Sequence, residues 1–130
     1  PSASTIAADR LDDAQSISVL LARRTLRPYA TDDIIGAQVG GAVKNVIAIA
    51  CGIVMGRGLG ESARAALMTC GLAEIARLCA NLGGRRETLM GMCGVGDLML
   101  TSSSPQSRNY SLGVMLGEGR SLESILAQRT

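Results

Sequence analysis

With 130 residues, 47% of them hydrophobic, the chain is long enough for one domain with a real core and too apolar to be disordered. A net charge of +2, scattered cations and only two aromatic residues, Tyr29 and Tyr110, exclude a nucleic-acid surface built on a basic patch or on stacked bases. Histidine is absent and Cys51, Cys70, Cys79 and Cys93 form no Cys-x-x-Cys pair, which argues against a metal site and for free core thiols in a reducing, cytoplasmic setting.

In chain order, residues 1–8 read as a short strand. Asp9 then opens an amphipathic helix with Leu11, Ala14, Ile17, Leu20 and Leu21 on one face and Arg23 and Arg24 at its C-terminal end. A second short strand is expected around Pro28. Asp32 is a plausible N-cap for a Gly- and Ala-rich helix from Ile34 to about Met55, apolar nearly all round and so buried on most sides. The longest apolar run, Val46 to Gly56, falls short of the roughly 20 residues a bilayer requires, so no membrane span is expected. Gly56-Arg57-Gly58-Leu59-Gly60 breaks that helix. The next starts at Ser62, with Leu67, Leu72, Ile75, Leu78 and Leu82 as its buried stripe and Glu74 and Arg77 facing out, and ends at Gly83-Gly84. A short helical piece around Glu87 to Met90 leads to Cys93-Gly94-Val95-Gly96-Asp97. Pro105 suits the first turn of a helix through Leu116, and Ser121 begins a last one reaching Thr130.

Three places carry candidate chemistry. Lys44 is the only lysine beside twelve arginines, and it sits in an apolar helix one turn from Gly40, Gly41, Ile47 and Ala48. An apolar setting disfavours the charged ammonium and brings its pKa toward the range useful for proton transfer, while two glycines leave backbone bare for a ligand. The alternative is a lysine that snorkels from a core helix. Asn45 adds an amide suited to a substrate hydroxyl. Asp97 follows a glycine turn; it either caps the next helix or pairs with Lys44. The turn is not a dinucleotide fingerprint, because Met99 stands where a third glycine would be needed. Thr101 to Asn109 combines hydroxyls, a helix start and Arg108, which suits a phosphate or an ordinary Ser/Pro helix entry.

Together, Asp33-Ile34-Ile35-Gly36, Gly40 to Ala50, Gly71-Leu72-Ala73-Glu74, Gly94-Val95-Gly96-Asp97-Leu98 and Ser104 to Asn109 resemble the bacterial NAD(P)-dependent glycerol-3-phosphate dehydrogenases. The resemblance implies a mainly α fold. Residues 1–31 would be the strand–helix–strand tail of a Rossmann dinucleotide-binding domain. Residues 32–130 would form a helical substrate domain like the C-terminal domain of 6-phosphogluconate dehydrogenases, cut short at its end. It implies Lys44 as the catalytic proton donor and acceptor. Asp97, Ser107, Arg108 and Asn109 would hold glycerol 3-phosphate or dihydroxyacetone phosphate, with Arg108 also reaching NAD or NADP and Asn45 and Thr101 beside the substrate. It leaves a homodimer open. The Gly-rich fingerprint would precede Pro1, so the chain is expected to be an inactive fragment on its own. Two alternatives stay open. One is a β-hydroxyacid dehydrogenase of the 6-phosphogluconate type, which would favour Asn where Ala48 stands; the other is a non-enzymatic helical interaction module.

Overall fold

The computed structural model describes residues 2–128; the expected strand start at Pro1 and the last helix's reach to Thr130 lie outside them. The element order is β1 (Ser2–Ala7), α1 (Leu11–Leu21), β2 (Leu26–Thr31), α2 (Ile34–Gly56), α3 (Glu61–Asn81), α4 (Arg86–Leu89), a π-turn (Met92–Gly96), α5 (Asp97–Thr101), α6 (Arg108–Gly117) and α7 (Leu122–Ala127). The chain is mainly helical with a strand–helix–strand start, as expected. It divides into two compact units. One holds residues 1–41 and 75–97, the other residues 42–74 and 98–130.

In the first unit, β1 and β2 pair in parallel, from Ser2 opposite Leu26 to Ala7 opposite Thr31, and α1 makes the crossover. Arg23 donates to the carbonyls of Leu20 and Ala22 at 2.8 and 2.7 Å, the C-terminal role foreseen for it. The stripe expected on α1 is not buried. Ala14 is fully covered, but Ile17, Leu20 and Leu21 are exposed, because two strands offer too narrow a surface for the whole apolar face.

The first turns of α2 belong to this unit, and its cap is Asp33 rather than Asp32: Asp33 Oδ1 accepts the Gly36 N–H at 2.8 Å. Asp32 instead pairs with the Arg85 guanidinium. The end of α3 supplies core residues Ile75, Ala76 and Cys79, joined by Val39 and Leu89. Gly83, at φ +90°, closes α3, with Gly83 N–H on Ala80 O and Gly84 N–H on Cys79 O. Leu78 and Leu82, expected in the core, are exposed; the buried face runs through Gly71, Ile75 and Cys79 instead. Small residues allow that face to approach its neighbours closely, and hydrophobicity alone points to the wrong side.

The second unit is built around backbone-to-backbone contact between α2 and α6. A Cβ on Gly52 would lie 2.8 Å from Gly113 Cα, and one on Gly113 2.9 Å from Gly52 Cα. One turn on, Gly56 and Gly117 face each other in the same way at 3.0 Å. Gly71 of α3 receives the Ile47 side chain, leaving only 2.7 Å for a Cβ. Ala48, Cys51, Leu98, Tyr110 and Ile125 form the core. At 23 residues, with hydropathy 1.7, α2 is long and apolar enough to cross a membrane, so length does not exclude a span as the apolar run suggested. Its glycine face is instead covered by α6. Pro105 lies before α6 rather than in its first turn, because Ser107 takes the cap position.

Candidate active site

Lys44 and Asn45 lie in the middle of α2, both half-buried. The two glycines one turn before Lys44 behave differently. Gly40 is packed: a Cβ there would be 3.2 Å from the Cys93 carbonyl carbon and from Leu89 Cδ2. A Cβ on Gly41 would meet nothing within 4 Å, so room for a ligand beside bare backbone is offered by Gly41 rather than Gly40.

Within the same unit as Lys44, α6 begins with three of the candidate residues. Ser107 is its N-cap, with extended backbone (φ −69°, ψ 118°) and Oγ accepting the Tyr110 N–H at 3.3 Å. Arg108 follows, exposed. Asn109 donates from Nδ2 to Asn45 Oδ1 at 2.8 Å across 64 residues of sequence. That hydrogen bond joins the start of α6 to the turn of α2 that carries Lys44. The glycine contacts between the two helices make it possible, since they hold the backbones too close for any side chain to intervene. A helix start with an arginine in its first turn concentrates amide N–H groups and positive charge, the chemistry of a phosphate site. Thr101 ends α5, half-buried.

Asp97 belongs to the other unit. Its backbone is helical (φ −73°, ψ −34°) and continuous with the π-turn before it, so it is not the N-cap that the local pattern favoured. Gly94 and Gly96 do not serve positive φ angles. Gly94 is needed for close approach, because a Cβ would lie 2.5 Å from Leu89 Cα. Burial pushes the Cys51 and Cys79 thiols up, which leaves them inert core groups. Cys70 is exposed and Cys93 half-exposed, so only two of the four cysteines are the core thiols expected. Among the described residues no group of His, Cys, Asp and Glu could hold a metal ion.

Sequence reasoning missed Asp33. It is buried and takes amide hydrogen bonds from both Gly36 and Arg85 at 2.8 Å. Two adjacent aspartates before a helix give no sequence signal as to which one caps it.

Residues 33–130 match the family model described as the NAD-dependent glycerol-3-phosphate dehydrogenase C-terminus. The chain belongs to this family. It is 57% identical over 129 residues to a glycerol-3-phosphate dehydrogenase [NAD(P)+] from Rhodospirillum rubrum, covering 99% of this chain and 37% of the relative. It is 55% identical over 130 residues to one from Gluconobacter oxydans, covering 100% and 40%. The crystal structure of glycerol-3-phosphate dehydrogenase from Coxiella burnetii superposes with a TM-score of 0.93 at 42% identity, over 98% of this chain and 39% of that one. The chain thus spans about two-fifths of the length of the curated relatives it matches.

Proposed function

We propose that the chain is the substrate-holding part of an oxidoreductase that interconverts sn-glycerol 3-phosphate and dihydroxyacetone phosphate with NAD or NADP. That reaction supplies glycerol 3-phosphate for phospholipid synthesis in the cytoplasm. The observation that carries this reading is the Asn109–Asn45 hydrogen bond, which ties Ser107 and Arg108 to the turn bearing Lys44. Family membership supports it, as do relatives named glycerol-3-phosphate dehydrogenase [NAD(P)+].

In the reducing direction the C2 oxygen of dihydroxyacetone phosphate gains charge, and the Lys44 ammonium donates a proton to it; in the oxidising direction the amine takes that proton back. Arg108 and the amides at the start of α6 hold the phosphate. Ser107 can donate its hydroxyl proton to a phosphate oxygen, since its Oγ lone pair already accepts the Tyr110 N–H. Fixing the phosphate end positions C2, so binding energy remote from the reacting carbon lowers the barrier. Asn45 and Asn109, each oriented by the other, face the substrate as paired amides, with Thr101 beside them. Asp97 is assigned to the same substrate, a role that Asp97→Asn kinetics test. The exposed Arg108 guanidinium fits a phosphate or a carboxamide and is the one residue here assigned to the cofactor. Bound NAD(P) would supply the hydride.

Steady-state kinetics of three variants in the full-length protein test the assignment. Lys44→Ala is expected to lower kcat by about 10²–10⁴-fold, the usual worth of general acid–base catalysis. Arg108→Ala is expected to raise KM as well, and Arg108→Lys to restore it only in part, because a point charge cannot make a bidentate phosphate contact. Lys44→Ala with raised KM and intact kcat would make Lys44 a binding residue and overturn the mechanism.

A further inference from the structure

Asp33 is the only buried charged side chain among the described residues, 6% exposed. A helix cap needs one acceptor. Asp33 has more partners than that, and they come from distant segments. Oδ1 accepts the Gly36 N–H at 2.8 Å, and Oδ2 accepts the Arg85 N–H at 2.8 Å from 52 residues away. The Thr88 hydroxyl also favours the ionised carboxylate, and the Arg85 guanidinium adds charge from the side where it pairs with Asp32. A buried carboxylate is tolerated only when so satisfied.

The extra donors lie on the approach to Asp97. Arg85 immediately precedes α4, and Thr88 lies within it. The Thr88 carbonyl accepts the Cys93 thiol at 3.4 Å. Leu89, fully buried, lies directly beneath Gly94. Gly40 of α2 rests on the backbone of Cys93. Contact therefore runs from Asp33 through α4 into the π-turn, whose next residue is Asp97, and returns to α2 at Gly40.

We propose that Asp33 is a positioning residue for the reaction: its carboxylate fixes the turn that delivers Asp97 against the start of α2. The inference rests on the substrate-side role proposed above for Asp97.

The test is kinetic, in the full-length protein. Asp33→Asn keeps an acceptor for Gly36 but turns an NH2 toward the Arg85 amide. It is expected to lower kcat per folded molecule by about tenfold or more, with KM for dihydroxyacetone phosphate changed less than about threefold. In an Asp97→Asn background the same change is expected to cost less than about twofold, because Asp33 acts through Asp97. Thr88→Val leaves the cap intact and removes one donor. It is expected to lower kcat in the same direction but less, and it decides the matter if Asp33→Asn does not fold. Wild-type kcat in both variants, or a full multiplicative loss in the Asp97→Asn background, would overturn the proposal and leave the proposed function standing. No turnover by the wild-type protein would overturn both.

Discussion

At the scale of single residues, Asp33 shows how a buried charge is made to fit. Burial pushes its pKa up, but the Thr88 hydroxyl, the Gly36 and Arg85 amides and the Arg85 guanidinium together outweigh burial and hold it below the ordinary value. A depressed native pKa means that ionisation favours folding. The contribution is complete above the unfolded pKa, about 3.9, and is lost as pH falls through the lower native value. Asp33→Asn is therefore expected to lower stability near neutrality by about 1–3 kcal/mol and to flatten the loss of stability below about pH 4. Denaturant midpoints from pH 3 to pH 7 measure both; parallel curves for variant and wild type would contradict the sign. The other groups facing this site are Asp32, Arg85, Glu87 and Cys79. Asp32, also lowered by its hydrogen bond to Arg85, titrates in the same window but is exposed, so its share is small.

At the scale of elements, the α2–α6 contact depends on the absence of side chains. Gly52→Ala or Gly113→Ala would drive a methyl into facing backbone, which cannot rotate away. Each is expected to cost about 1–3 kcal/mol or more and to lower the thermal midpoint. Gly41→Ala is the contrast: its surroundings are open and its backbone helical, so stability should rise by about 0.4–1 kcal/mol. If a ligand approaches there, KM should rise in the same variant. Equal destabilisation by all three would refute the packing argument. The same glycines show where sequence reading succeeds and where it stops. The Gly58 and Gly83 helix ends were legible, because positive φ is a local demand that glycine answers. The buried face of α3 was not, because Gly71 and Cys79 pack by being small while Leu78 and Leu82 look more hydrophobic. Lys44 and the Ser107–Asn109 segment could be singled out as unusual residues in unusual places. Their connection through Asn45 could not, since a hydrogen bond spanning 64 residues leaves no local trace.

At the scale of the whole molecule, the polypeptide of residues 1–130 contains no Gly-x-Gly-x-x-Gly turn to cradle a pyrophosphate. By itself it is expected to reduce no dihydroxyacetone phosphate with NADH or NADPH. A coupled absorbance assay on the purified polypeptide checks this, and measurable turnover would refute it. Its aliphatic core has one more consequence. With no tryptophan in the chain, its ultraviolet emission comes from two tyrosines, and they stand in different units. Tyr29 is exposed on β2, with the Arg27 guanidinium 5.6 Å from its ring centre. Tyr110 is buried in the first turn of α6, and its amide is held by the Ser107 cap. In the polypeptide of residues 1–130, replacing Tyr29 with Phe would leave a single native fluorophore directly behind the amides assigned to the phosphate, so ligand capture at that helix start could be followed optically without attaching any label.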